Sequence, residues 1–206
     1  MNRLLVLFAH PRTDRSEVNV VLARAARRVE AVTLVDLYAE YPTFEIDVDR
    51  EQQRLLDHDV IVFQHPVYWY SSPAILKEWQ DLVLEYGFAY GSEGRALHGK
   101  TLLNAVTCGA RREAYCRAGV YAYELRQLFA PYEQTALLCG MRYLSPFAVF
   151  GAGHAIEEGR LETHAADYER LLRALADGSL NLPQAESVAC LSDDLDALLA
   201  SNGKTR

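Results

Sequence analysis

The stretch "DVIVFQHPVYWYSSPAILKEW", residues 59–79, reads as one strand, one loop and the start of one helix. Val60, Ile61, Val62 and Phe63 form a continuous apolar run, the pattern of a strand buried on both faces, so a strand is predicted over 59–64. Pro73 opens the helix, because a proline at the first helical position lacks only an N–H that would have no partner there. Leu76, Trp79, Leu82, Val83 and Tyr86 then share a face, and Gly87 is a natural C-terminal stop. Between strand and helix stand Pro66, Val67, Tyr68, Trp69 and Tyr70. Three consecutive aromatics cannot all turn into one core. Two readings stand: ordinary aromatic packing between strand and helix, or a stiff shelf for a flat ring system.

The same alternation runs outward in both directions. Upstream, Leu4–Phe8 is a second apolar run. Val18, Val21, Leu22, Ala25, Ala26 and Val29 recur at helical spacing, 31–37 reads as a strand and 47–56 as a short helix. Downstream, 100–106 is a strand, and Tyr121, Leu125, Leu128, Phe129 and Tyr132 suggest one helix. A fifth strand falls at 146–150, and Tyr168, Leu171, Leu172 and Leu175 carry a long helix that stops near Gly178. Strands alternating with helices require right-handed crossovers and a parallel sheet covered on both sides. The expected fold class is therefore α/β, a flavodoxin-like three-layer sandwich with a five-stranded parallel sheet in the order 2-1-3-4-5. In that order ligands bind beyond the C-terminal strand ends, where the winding reverses, so the loops after strands one, three and four matter most.

With 206 residues, half of them hydrophobic, the chain suits one ordinary domain, here 1–180. "NLPQAES", from residue 181, reads as a linker. Leu191, Leu195, Leu198 and Leu199 among Asp193, Asp194 and Asp196 make a short amphipathic extension, 181–206 in all. That extension docks on its own subunit, docks on a dimer mate, or binds a partner. A net charge of −7 with scattered Lys and Arg argues against nucleic acid as a partner. No apolar stretch approaches the roughly 20 residues of a membrane span. "MNRLLVLFAHP" is followed at once by Arg12, Asp14, Arg15 and Glu17, which fits a buried first strand and not a signal peptide. Cys108, Cys116, Cys139 and Cys190 form no C-x-x-C and pair with no His at zinc spacing, so free thiols in a reducing cytoplasm and no metal are expected.

The first loop, His10 to Asn19, has neither a dinucleotide fingerprint nor a Walker sequence. It offers His10, Thr13, Ser16, Glu17, Val18 and Asn19 at a helix start, either as a polar cap or as a phosphate seat built from amides and side chains. The third loop, "TCGARREAY", places small Gly109 and Ala110 where backbone can approach a ligand, with Thr107 and Cys108 before them and the Tyr115 hydroxyl after; a plain turn is the other reading. Taken together, a phosphate seat, an aromatic shelf and a close-approach backbone suit a flavin mononucleotide.

These motifs ("FAHP…S-x-x-N", "HPVYWYSSPAILKEW", "GFAYG…LHGK", "TCGA…Y") resemble the flavodoxin-like NAD(P)H:quinone oxidoreductases. "DLYAEYPTFEID" and "CGMRYLSPF" bring the chain nearest the ancillary subunits of glutathione-gated potassium-efflux systems. The resemblance covers about residues 3–175. It implies a homodimer with FMN (FAD as the alternative) at each interface site and NADH or NADPH as electron donor. Quinones or similar electrophiles are the implied acceptors. By position, His10 and Ser16 to Asn19 would hold the phosphate and ribityl chain. Pro66 to Tyr70 would border the ring, and Thr107 to Ala110 would meet its pyrimidine edge. Tyr115 falls where related enzymes keep a catalytic tyrosine near a ring carbonyl, and Tyr90 where an aromatic of the partner chain covers the substrate. Tyr121 stands where the vertebrate enzymes carry a histidine, and T-C-G-A replaces the usual T-T-G-G. Arg111 and Arg112 either meet a dinucleotide's phosphates or form a solvated turn. The alternative function is a regulatory flavin-binding subunit of a membrane potassium/proton antiporter, working in the cytoplasm on the inner face of the membrane.

Overall fold

A computed structural model describes residues 1–200. Its sheet is parallel throughout and runs β2 (Val32–Asp36), β1 (Leu4–Phe8), β3 (Val60–Pro66), β4 (Thr101–Cys108), then an edge position. Two short strands, β5 (Arg142–Tyr143) and β6 (Phe147–Phe150), share that edge, and both pair with β4. The single fifth strand expected over 146–150 is thus one half of an interrupted one. The break has a local cause. The Ser145 N–H turns out of the sheet to the Ala185 carbonyl (3.0 Å), and Pro146 has no N–H to give.

Each strand's apolar run divides by parity between two cores, as a pleated strand must. Leu5, Leu7, Ile61 and Phe63 face α2 (Leu37–Glu40), α3 (Val48–Asp57), α4 (Ala74–Val83) and α6 (Ala130–Leu138), through Leu37, Leu55, Trp79 and Tyr132. Leu4, Val6, Val60 and Val62 face α1 (Glu17–Ala26) and α8 (Leu161–Asp177), through Leu22, Tyr168, Leu171 and Leu172. The remaining helices are α5 (Leu125–Leu128), α7 (Ala152–Ala155), α9 (Leu182–Ser187) and α10 (Leu191–Ala200).

Two readings need correction. Tyr121 to Tyr132 is not one helix. Tyr121 lies in a loop, Glu124 and Gln127 form a capping box that starts α5, and Pro131 in the first turn of α6 cannot donate back to Gln127. The stretch read as a linker, 181–187, is mostly helix. Asn181 accepts from the Gln184 N–H (3.2 Å), and Pro183 occupies the first turn. α10 docks on its own subunit, burying Leu191, Leu195 and Leu198 in the core that holds α8. Residues 201–206 of the extension lie outside the described residues. No helix among the described residues is long and apolar enough to cross a membrane.

Candidate functional site

Strand register brings the three loops together. Pro66 lies opposite Thr107, and the Val67 N–H extends the ladder to the Thr107 carbonyl (2.8 Å). Asn19 Nδ2 donates to Thr107 Oγ1 (2.7 Å), and Gln64 Nε2 donates to the Asn19 carbonyl (3.0 Å). The loops enclose an open cavity of about 270 Å³. Of the residues predicted from sequence, His10, Ser16, Glu17, Val18, Asn19, Pro66, Val67, Tyr68, Thr107 and Gly109 line it. Sequence reasoning missed Arg15, Ala152, Gly153 and Ile156, which line it too. The last three follow β6, so its C-terminal end opens on the same edge as those of β1, β3 and β4. The run of small residues Gly151, Ala152 and Gly153 was the available signal.

The polar atoms here are poorly satisfied within the chain. Ser16 is buried directly before α1, yet its side chain makes no hydrogen bond to the first turn, so the polar-cap reading does not describe it. The first amides of an α-helix have no intrahelical partner either. Asn19 Oδ1 is a buried acceptor with no hydrogen bond among the described residues, a defect native structures rarely leave without a purpose. His10 Nδ1 accepts from the Arg12 N–H (3.1 Å), which puts the neutral ring's proton on Nε2. Burial holds the His10 pKa below the ordinary histidine value. Arg12 is spent on Asp14 (2.8 Å), while Arg15 lines the cavity without an ion pair among the described residues.

The aromatic loop is a tight hairpin. Tyr68 and Ser71 exchange two backbone hydrogen bonds of 3.0 Å, and the two residues between them have left-handed backbones: Trp69 at φ +48° and Tyr70 at φ +64°. A two-residue turn with both central φ values positive is type I′ in kind and normally takes Asn-Gly. Bulky residues there carry strain of order 1–3 kcal/mol each. Core packing does not explain them, because Trp69 is 93 % exposed. Tyr68 meets the His10 ring edge-on at 6.0 Å, and Tyr70 meets Tyr121 at 5.5 Å.

In the third loop a Cβ added to Gly109 would meet nothing within 4 Å, so the backbone there stands open. Trp69, Tyr70, Tyr90, Cys108, Ala110, Tyr115 and Tyr121 are not drawn into the cavity lining. Cys108 points into the core, and burial pushes its thiol up to about 12, which disposes of a thiolate nucleophile. Tyr115 is buried with its hydroxyl on Cys108; burial raises its pKa, so it stays protonated. Tyr121 packs between Tyr70 and Tyr115, and Tyr90 lies against Tyr86. Arg111 and Arg112 are paired with Glu158 and Asp193, so neither is a free cation awaiting a dinucleotide phosphate.

Residues 2–172 match a family model described as a flavodoxin-like fold. The chain belongs to that family. This flavodoxin-like chain is 46% identical over 156 residues to an uncharacterized NAD(P)H oxidoreductase of Bacillus subtilis (strain 168), covering 76% of this chain and 90% of the relative. It is 47% identical over 171 residues to a glutathione-regulated potassium-efflux system ancillary protein of Serratia proteamaculans (strain 568), covering 83% and 93%. Among solved structures, a general stress protein 14 from Treponema denticola in complex with FMN superposes with a TM-score of 0.79 at 38% identity, covering 84% of this chain and 99% of that one.

Proposed function

We propose that this flavodoxin-like protein is an FMN-dependent NAD(P)H:quinone oxidoreductase. The observation that carries the reading is the convergence of three strand-end loops on one open cavity, with Ser16, Asn19, Thr107 and Gly109 in its lining. Ribityl hydroxyls both donate and accept, which suits the polar Asn19–Thr107 side of the cavity. Ser16 Oγ, the first amides of α1 and Arg15 would take the phosphate. The backbone at Thr107 to Ala110 would bond the pyrimidine edge, with Pro66 to Tyr70 bordering the ring. Tyr115, through Cys108, supports the third loop from behind. The bound flavin supplies hydride transfer between nicotinamide and quinone. Holding donor and acceptor in turn against it is a positioning task for this chain.

FMN is preferred over FAD on charge. The groove continuing past Ser16 carries Asp14 and Glu17 against Arg24, a poor seat for a second phosphate. The exposed Tyr86, Val120 and Tyr123 are apolar side chains that a second copy of the chain would cover, and its Tyr90 would lie over the substrate beside Tyr121. The FMN-bound relative and the named NAD(P)H oxidoreductase support this reading.

A second reading is favoured by the potassium-efflux relative: a flavin-binding regulatory subunit of a membrane potassium/proton antiporter, acting from the cytoplasm. One experiment separates them. The purified protein is expected to be yellow, to release FMN on denaturation and to be bleached anaerobically by NADH or NADPH, with colour restored by quinone. Protein that takes up no flavin refutes both readings; a yellow protein that neither dinucleotide bleaches favours the regulator.

A further inference from the structure

The family match ends at residue 172, yet α10 beyond it reaches the third loop. Asp193 Oδ2 pairs with Arg112 Nη1 at 2.6 Å. The Arg112 guanidinium lies over the Phe150 ring, 5.2 Å from its centroid. Phe150 packs on Tyr115 (5.4 Å), Tyr115 on Tyr121 (4.9 Å) and Tyr121 on Tyr70 (5.5 Å). One unbroken series of contacts therefore runs from the C-terminal extension under the third loop to the aromatic hairpin. Its anchor is firm: the Leu191 N–H bonds the Pro146 carbonyl (2.9 Å), the Ala148 N–H bonds Ser192 Oγ (3.4 Å), and Leu191, Leu195 and Leu198 are buried.

On its other side the loop is held by the Arg111–Glu158 pair and by the Gly151 N–H, which donates to the Ala110 carbonyl (2.8 Å). A cavity of about 340 Å³ opens between it and the extension, lined by Arg112, Tyr115, Cys116, Leu125, Phe150 and Cys190 among others. Residues 112–115 could shift into that space if Arg112 were released. We propose, on the FMN reading above, that Asp193 is a positioning residue: through Arg112 and the Phe150–Tyr115 stack it sets the place of the third loop against the flavin ring. The pair is partly exposed, so its contribution to global stability is small and its effect is local.

The test uses the full chain and FMN alone. Binding is read by quenching of FMN fluorescence, the site by the visible spectrum and midpoint potential of bound FMN, and the fold by thermal melting. Asp193→Asn and Arg112→Gln are each expected to weaken FMN binding by up to about fivefold, the most that a partly exposed ion pair lends to a binding step, and to shift the bound-FMN spectrum at nearly unchanged melting temperature. The double variant is expected to lose no more than either single one, and Asp193→Glu to restore the wild-type spectrum. Variants whose bound-FMN spectrum, potential and affinity equal those of wild type, with or without a fall in melting temperature, overturn the inference alone. Wild-type protein without FMN affinity overturns the flavin reading and this inference with it.

Discussion

Replacing Trp69 by Asn is expected to make the flavin-free protein more stable and a worse flavin binder. Trp69 sits at φ +48°, where a bulky L-residue is disfavoured by roughly 1–2 kcal/mol. Asn tolerates that conformation, because its short polar side chain bonds locally. With 93 % of Trp69 exposed, almost no burial is lost to offset the relief. The expected net gain is about 1 kcal/mol, or roughly 2–4 °C in melting temperature for a domain of this size. FMN affinity should fall about tenfold, since an aromatic neighbour of the ring contributes roughly 0.5–1.5 kcal/mol beyond the area it buries. Thermal melts of flavin-free protein and FMN titrations read the two effects. Tyr70→Asn is the control: it relieves a similar strain but gives up the Tyr121 contact, so its melting temperature should stay near wild type. A Trp69→Asn protein that melts lower without flavin would mean that Trp69 is packed, and an unchanged FMN affinity would mean that the strained turn serves something other than the ring.

Three other outcomes are expected. Ser16→Ala combined with Asn19→Ala should weaken FMN binding about 100-fold, at roughly 1–1.5 kcal/mol per lost hydrogen bond, while flavin-free melting changes by only a few degrees. The reason is that Asn19→Ala also removes an acceptor that is buried and unsatisfied among the described residues; equal losses in melting and affinity would show the phosphate and ribityl seat to be misassigned. His65 is fully buried, its Nδ1–H donates to the Pro66 carbonyl, and desolvation lowers its pKa from 6.5 to about 4. Its contribution to stability is therefore complete above pH 6.5 and is lost as pH falls from 6.5 toward 4, at up to about 1.4 kcal/mol per pH unit. Urea midpoints from pH 7 to 5 should fall more steeply for wild type than for His65→Gln, and parallel curves would contradict the burial argument. Iodoacetamide at pH 8 should label the half-buried Cys116 of the native protein and spare Cys108, Cys139 and Cys190, as mass spectrometry would show. Native labelling of Cys108 at a comparable rate would contradict a buried, neutral thiol.

Much of this protein is legible before folding because parallel strands and amphipathic helices write their burial into local pattern. The doubly buried runs at Leu4–Phe8 and Val60 to Phe63, and the Pro73 helix start, need only hydrophobicity and backbone chemistry to be read. From those elements the sheet order and the edge that gathers the loops follow by handedness. What local pattern lacks is the competition for individual hydrogen bonds. Ser145 gives its N–H to α9 and so splits the fifth strand, and 181–187 coils because Asn181 caps it. Ser16 turns out not to cap the helix it precedes, and Asn19 Oδ1 has no partner among the described residues.

Periodicity and chain handedness are enough to set the α/β class, the strand order and which three loops share an edge. Folding in three dimensions is what puts Trp69 and Tyr70 in a strained turn and turns Tyr115 toward Cys108, away from the loop cavity. It alone also decided that Asp193 reaches Arg112 across 81 positions of chain. The physical reason is that dihedral strain and pairwise electrostatics depend on which distant groups arrive, and a one-dimensional pattern carries no distances.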